Sequence, residues 1–297
     1  MFTDILGKKR LKINLHTHTT RTDGQKAPEE VAAIYKARGY DAVALTDHWK
    51  YNPGGEMSGL QMISGVEYNV GGGDAADPVF HIVALGCETE PVIDSAWTHL
   101  SPYEGAAKII AAIRNAGGVA NLAHPAWSLN TPEMLMRIQG GFDVTEVYNS
   151  VSDYGMSDRA NSEVIIDQLA TAGCIVPMLA TDDAHYYTGD ECRGFIALEK
   201  DACDELGFAG AVRAGRFYAS MGPEVHFERL PDGSFRVQCT PCAKIEFMSN
   251  MVWTSGRIVR GENLTEATYR PQNGERFIRA VVVDDCGNRA WSNIIAI

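Results

Sequence analysis

The chain has 297 residues, 45% apolar and 22% charged, which allows a large buried core and excludes a disordered polymer. Its net charge of −12 argues against an extended nucleic-acid surface but leaves room for a short nucleotide in a metal-lined pocket. No run approaches the roughly 20 apolar residues of a membrane span, and "MFTDILGKKRLKINLH" lacks the basic-then-apolar order of a signal peptide, so a cytoplasmic protein with no membrane partner is expected.

The first β-type run, "LKINL", leads into "HTH", where His16 and His18 are one residue apart, and Asp23 follows five residues later. Alternate side chains of an extended segment share a face, so the two imidazoles can grip one metal ion. Two histidines this close also arise by coincidence, and the rest of the chain decides. "APEEVAAIYKARG" is a helix, with an early proline and a late glycine. "DAVALT" is the second strand, followed by Asp47 and His48; "QMISGVE" is the third and carries Glu67; "VFHIVALG" is the fourth and contains His81. Taken alone, His81 reads as a hydrogen-bonded core residue. After the helix "SPYEGAAKIIAAIRNAG" come "GVANLAH" with His124, "DVTEVYN", and "CIVPMLAT", which runs into Asp182, Asp183 and His185. Seven strands alternating with helices predict βα units around a parallel sheet, closed or nearly closed into a barrel over residues 1–221.

From residue 222 the pattern changes to "EVHFERL", "SFRVQCT", "AKIEFMS", "RFIRAVVVDD" and "SNIIAI", with the turn "PDGS" between the first two. This predicts a small antiparallel β domain over 222–297, a sandwich, with Trp291 buried against a neighbour. Seven cysteines without a repeating framework favour reduced thiols. Cys239 and Cys242 form one CxxC without a second pair and are expected to be half-buried strand residues, since structural zinc needs four ligands.

In a parallel α/β barrel the functional groups sit at the carboxyl ends of the strands, where six of the eight histidines fall. His99 and His226 fit no such position and are read as surface or packing residues. So many imidazoles and carboxylates are costly to bury together unless metal ions and hydrogen bonds satisfy them.

The ordered series HxH, "TDG", "TDH", a lone Glu, a lone His, "AHP" and "DxH" resembles the PHP (polymerase and histidinol phosphatase) superfamily of metal-dependent phosphoesterases, over roughly residues 11 to 200. "GRFYASMGP" and "DDCGNRAWSNIIAI" resemble, more weakly, a branch of ester- and carbamate-cleaving metallohydrolases with a C-terminal β domain. The resemblance implies an α/β fold, a distorted (βα)7 TIM-like barrel. It implies a first metal on His16, His18, Glu67 and Asp183, a second on Glu67, His81 and His124, and a third on Asp23, His48 and His185. Asp182 is then a carboxylate steering a ligand histidine, with direct ligation as the alternative. Mixed imidazole and carboxylate ligands suit zinc, manganese or iron, two to three ions in all.

Two metals sharing one carboxylate activate a water, so the expected activity is hydrolysis of a small phosphate ester by metal-bound hydroxide, with Glu67, Asp183 and His185 at the reaction centre. Arg21 in the first loop and Arg159 in "SDRANSE" are the candidate cations for the phosphoryl oxygens, with Lys50 a third choice; a solvated surface residue is the alternative reading, stronger for Arg21 than for Arg159. A carboxyl-ester or carbamate hydrolase using the same metals, and a non-catalytic metal-stabilised binding module, are the rival readings.

Overall fold

The computed structural model describes residues 1–73 and 77–297 and shows a mixed α/β chain built on two sheets, without a closed barrel. Seven strands fall in the expected runs: β1 (Lys9–Asn14), β2 (Ala42–Ala44), β3 (Gly65–Gly71), β4 (Val79–Leu85), β5 (Val119–Leu122), β6 (Val144–Asn149) and β7 (Met178–Thr181). Helix α1 (Pro28–Ala37) and helix α2 (Pro102–Asn115) both start on a proline, whose missing N–H has no partner to lose in the first turn. Helix α2 turns Ile109, Ile110 and Ile113 onto Val66, Phe80 and Ile82 of the second sheet.

β1 and β2 pair in parallel in the first sheet, and β3 to β7 form the second in sequence order. The third sequence run divides between them at Ser64: Leu60–Ile63 pairs with β2, whereas β3 belongs to the other sheet. Gly65 permits the crossing, because a Cβ there would lie 2.7 Å from the Leu45 carbonyl oxygen.

The expected all-parallel wall fails at β4, which is antiparallel to both β3 and β5. The chain between Gly71 and Val79 is shorter than the dozen or so residues a parallel crossover needs, so it returns as a hairpin. The reversal brings His81, near the start of β4, to the end where the parallel strands finish. At their seams the two sheets meet through isolated bridges, Thr17 with Ala184 and His48 with Glu67. Between the sheets Ile13, Ala44, Val83, Leu85, Val144 and Leu179 make an apolar floor beneath the strand ends.

Helix α3 (Glu163–Thr171) precedes β7, and β8 (Phe195–Glu199), helix α4 (Lys200–Arg213) and β9 (Phe217–Ser220) follow it. The remaining chain is antiparallel: β10 (Val225–Arg229), β11 (Phe235–Met248), β12 (Ile258–Tyr269), β13 (Phe277–Val283) and β14 (Arg289–Trp291). These strands do not form a separate sandwich, because β14 pairs with β9 and carries the first sheet onward through β13 to β11. β11 shifts register on both sides of Cys242, and the shifts keep Phe235, Val237 and Cys239 in the same core as Ile245 and Phe247. Cys239 and Cys242 are buried at this bend with their sulfurs 3.7 Å apart. No helix of the described residues is long and apolar enough to cross a membrane.

Two contacts fix the C-terminal strands to the rest. Trp291 is fully buried, with its ring stacked on Tyr148 of β6 at 6.0 Å. Arg279 is also fully buried, donating to Asp167 at 2.6 and 2.8 Å and to Glu163 at 3.0 Å on α3, while the half-buried Arg289 reaches Glu163 at 3.0 Å. Removing one partner of a buried ion pair strands the other charge, so Arg279→Ala should cost about 3–5 kcal/mol in urea unfolding. Arg289→Ala, which removes a half-buried arginine from a carboxylate that keeps Arg279, should cost less, about 1 kcal/mol. Equal losses would show that burial does not set the strength of this joint.

Candidate metal centre

The nine candidate ligands converge at one end of the two sheets. Asn14, the last residue of β1, donates to the carbonyl of His16 at 3.2 Å and to the Thr17 hydroxyl at 2.8 Å, which fixes the chain as it leaves the strand. His16 and His18 then present their rings together, with Nε2 atoms 3.3 Å apart. Across the same seam comes Asp183, whose Oδ1 lies 3.1 Å from His16 Nε2 and 3.0 Å from His18 Nε2. His124 and Asp183 have φ of 27° and 52°, left-handed conformations that cost energy in residues with a Cβ and concentrate at functional sites.

Glu67 is the hub. Its Oε2 lies 3.4, 3.2 and 3.2 Å from ring nitrogens of His16, His18 and His48, and its Oε1 lies 2.8 and 3.5 Å from His81 and His124. The two oxygens of one carboxylate thus face two different sets of imidazoles. Asp23, half-exposed, closes the outer side: its carboxylate is 3.3 Å from His18, 3.5 Å from His48 and 3.4 Å from His185.

Three groups of atoms lie close enough to hold an ion: His16, His18, Glu67 and Asp183; His18, Asp23, His48 and His185; and His48, Glu67 and His81. The first is the set implied for the first metal, and the second is the implied third set with His18 added. The third joins Glu67 and His81 to His48, with His124 standing beside Glu67. His18 Nδ1, His48 Nδ1 and Asp183 Oδ1 are buried without a hydrogen-bond partner among the described residues. Buried polar atoms gathered at a common point without a hydrogen bond are what a cation would satisfy, so the donor set fits divalent metal.

Hydrogen bonds on the far side of several rings fix which nitrogen faces the centre. His16 Nδ1 bonds to Glu146 at 2.8 Å, His124 Nδ1 to the Ser128 hydroxyl at 3.1 Å, and His185 Nδ1 to the Asp183 carbonyl at 2.6 Å. Each leaves Nε2 pointing inward. Sequence reasoning missed Glu146. It lies fully buried on β6, the strand without a candidate ligand, and also accepts from Asn121 at 3.0 Å, the His124 backbone at 2.9 Å and Asn149 at 2.9 Å. The available signal was a glutamate inside the apolar run "DVTEVYN", since a buried carboxylate needs partners.

Asp182 does not steer a ligand histidine. Its oxygens accept from the Tyr35 hydroxyl and from the backbone of Cys192, Arg193 and Gly194 at 2.6 to 2.9 Å, so it anchors the loop that leads into β8. Burial pushes its carboxyl up to about 7 against these bonds. Asp47 likewise turns away, holding Thr19 and Asn52 of the surrounding loops. Asp190, also missed, takes the backbone N–H of His185 at 2.7 Å.

Among the described residues none of the three expected cations is ion-paired with a candidate ligand. Arg21 donates to the Asn52 side chain, and Arg159 and Lys50 are exposed. His99 is exposed, and His226 lies on β10 between Asp4 and Glu224, at 3.7 and 3.6 Å.

Charge within the cluster is balanced by protons when no cation is bound. Burial alone would lower the histidines, but Asp183, Glu67 and Glu146 hold His16 well above the usual range, and Asp183, Asp23 and Glu67 do the same for His18. Glu67 and Asp183 are held well below the carboxylate range, against burial, chiefly by His16. Ligation needs neutral imidazole, so metal binding at pH 7 should expel these protons, and affinity should fall as pH drops. Calorimetric titration of manganese into metal-free protein, in two buffers of different ionisation enthalpy, should register at least about one proton released per chain. No release would mean that the histidines are already neutral. Glu146→Gln should weaken manganese about 10- to 100-fold in chelator competition, with Asp182→Asn sparing affinity; the reverse order would invert these roles.

No protein-family model matches the chain, and no curated protein matches its sequence. Among solved structures, a two-domain protein from Bacteroides vulgatus containing a predicted PHP-like metal-dependent phosphoesterase is similar over 100% of this chain and 97% of its own, with a TM-score of 0.55 and 15% identity. A candidate metal-dependent phosphoesterase from Bifidobacterium adolescentis matches 58% of this chain and 87% of its own (TM-score 0.40, 17% identity). An amidohydrolase from Chromobacterium violaceum, solved with bound sulfate and no metal, matches 60% and 89% (TM-score 0.42, 19% identity). The first of these likenesses spans the entire chain, and the protein shares its fold with that two-domain PHP-like structure.

Proposed function

We propose that the protein is a metal-dependent hydrolase of the PHP type that cleaves a small phosphate ester. The observation that carries this reading is Glu67, one buried carboxylate whose two oxygens face separate groups of histidines. Two or three zinc, manganese or iron ions, when bound, supply the acidity that activates a water and the charge that neutralises phosphoryl oxygens. His16, His18, Glu67 and Asp183 would hold the first, Glu67 with His81, His48 and His124 the second, and Asp23, His48, His185 and His18 the third. In the reaction water adds its oxygen to phosphorus, the ester P–O bond breaks with its electron pair, and the leaving oxygen takes up a proton.

The chain's own part is to fix geometry. Glu146, Ser128 and the Asp183 carbonyl orient three rings before substrate arrives, and Asp23 and His48, the more open members, face the side from which it enters. We read the two sheets as a distorted seven-stranded TIM-like barrel, residues 1–221, opened at its seams, with residues 222–297 as a supporting β domain that supplies no ligand. A cytoplasmic setting accords with seven unpaired thiols.

Protein purified without chelator should contain two to three equivalents of transition metal by elemental analysis; less than one, with no activity restored by manganese, zinc or iron, would remove the basis of the proposal. A parallel screen of phosphomonoesters, nucleoside bisphosphates, short oligonucleotides and carboxyl esters should show phosphate-ester turnover. Glu67→Gln should abolish it. Turnover of carboxyl or carbamate esters alone would transfer the site to that chemistry, and turnover of nothing by fully loaded protein would make it a binding module.

A further inference from the structure

Residues 1–221 and 222–297 meet around a cavity of about 290 Å³, walled by Arg10 of β1, Glu199 of β8, Phe217 and Tyr218 of β9, and His226 and Phe227 of β10. Lys8 and Arg216 also line it and are about half-exposed. Arg10 precedes His16 by six residues, on the order of 20 Å of extended chain, so the cavity lies at the end of β1 away from the metal centre. Independently of the phosphoesterase reading, we propose that this cavity is a binding site for a small organic acid, one carboxylate carried on an apolar body.

Charge is the first support. Glu199 is the shared partner of three cations, Lys8 at 3.9 Å, Arg10 at 3.4 Å and Arg216 at 2.5 Å. The other carboxylate of the lining, Glu228, is taken by Arg236 of β11 at 3.0 Å. Asp4 and Glu224 stand outside the lining, held by Arg10 Nε at 2.7 Å and by the Ile5 N–H at 2.8 Å. The wall that carries Lys8 and Arg216 therefore has more positive than negative charge, in a chain whose net charge is −12.

Unpaired polar atoms are the second. The Tyr218 hydroxyl and His226 Nε2 are buried without a hydrogen-bond partner among the described residues. His226 Nε2 stops 3.7 Å from Asp4 and 3.6 Å from Glu224, beyond hydrogen-bond distance. Such atoms are rarely left unpaired in a folded chain, and both belong to residues that line the cavity. A carboxylate accepts from all of these groups, hydroxyl, imidazole N–H, ammonium and guanidinium alike. The rest of the wall is apolar and fixed: Leu6, Phe217, Val225, Phe227 and Ile295 line it, Phe227 stacks on Phe235 at 5.3 Å, and Asn293 donates to the Gly215 and Phe217 carbonyls at 2.9 and 2.8 Å. A preformed apolar wall with a few convergent polar groups has little order left to gain on binding.

The test is calorimetric titration of the full chain with 3-phenylpropanoate, which should bind saturably. 3-Phenylpropanamide, alike in shape and uncharged, should bind about fivefold to tenfold more weakly. Acetate, the headgroup alone, should be weaker by at least about tenfold. The double variant Lys8→Gln, Arg216→Gln should lose the preference for acid over amide. Tyr218→Phe should weaken the acid about threefold or more and leave the melting temperature unchanged, because the hydroxyl has no partner in the free protein to lose. Absence of saturable binding, equal binding of acid and amide, acetate as tight as the larger acid, or full affinity in Tyr218→Phe would overturn the proposal. So would a preference that survives in the double variant, since the acid would then sit elsewhere, at the metal centre for instance. Each of these results leaves the phosphoesterase reading standing.

Discussion

The arrangement at the strand ends depends on the charge of Glu67, which is 1% exposed. A carboxylate taken out of water in this way carries a penalty of several kcal/mol unless opposite charge and hydrogen bonds surround it. Five imidazoles do so here, and they come from both sheets: His16, His18 and His48 from the first, His81 and His124 from the second. One sheet-to-sheet bridge is His48 with Glu67 itself, and at the other seam the Asp183 N–H bonds to the His16 carbonyl at 2.8 Å. The residues that gather metal are therefore also the residues that join the two sheets. Site and fold share the same contacts.

This coupling explains why the supporting polar groups are buried deeply. Glu146, Asp47, Asp182 and Asp190 are all 0% exposed, and each is satisfied by backbone N–H groups and polar side chains around it, with His16 added for Glu146. Such bonds are costly to leave unmade and so specify one loop conformation. The loops are thus fixed from beneath by hydrogen bonds to buried carboxylates, above an apolar floor.

Much of the site was legible in the sequence because its ligands follow apolar runs as short polar breaks, and because "HTH", "TDH" and "DAH" give spacings that a strand end can use. Glu146 was hidden for the opposite reason: it has no spacing partner, and its importance comes from residues far along the chain, among them His16, 130 positions away. The misreading of Asp182 has the same origin, since sequence adjacency to Asp183 says nothing about which way a side chain leaves the strand. In the fold, the runs marked strands but not their direction. β4 reverses because of the length of the link before it, and the C-terminal strands join the first sheet because Ala290 and Trp291 find partners on β9, which local alternation of side chains cannot reveal.

The joint at Arg279 also bears on how the protein is made. Arg279 follows its partner Asp167 by 112 residues, so α3 leaves the ribosome long before the cation that neutralises it. At about 5–20 residues per second the delay is on the order of ten seconds. For that interval the face of α3 that will be buried carries two carboxylates, Glu163 and Asp167, with no arginine to receive them. Water must therefore remain at that face, and β6 must wait for Trp291 before its outer side is covered. Final consolidation of the sheet that orients His16 through Glu146 is thus tied to residues synthesised more than a hundred positions after α3.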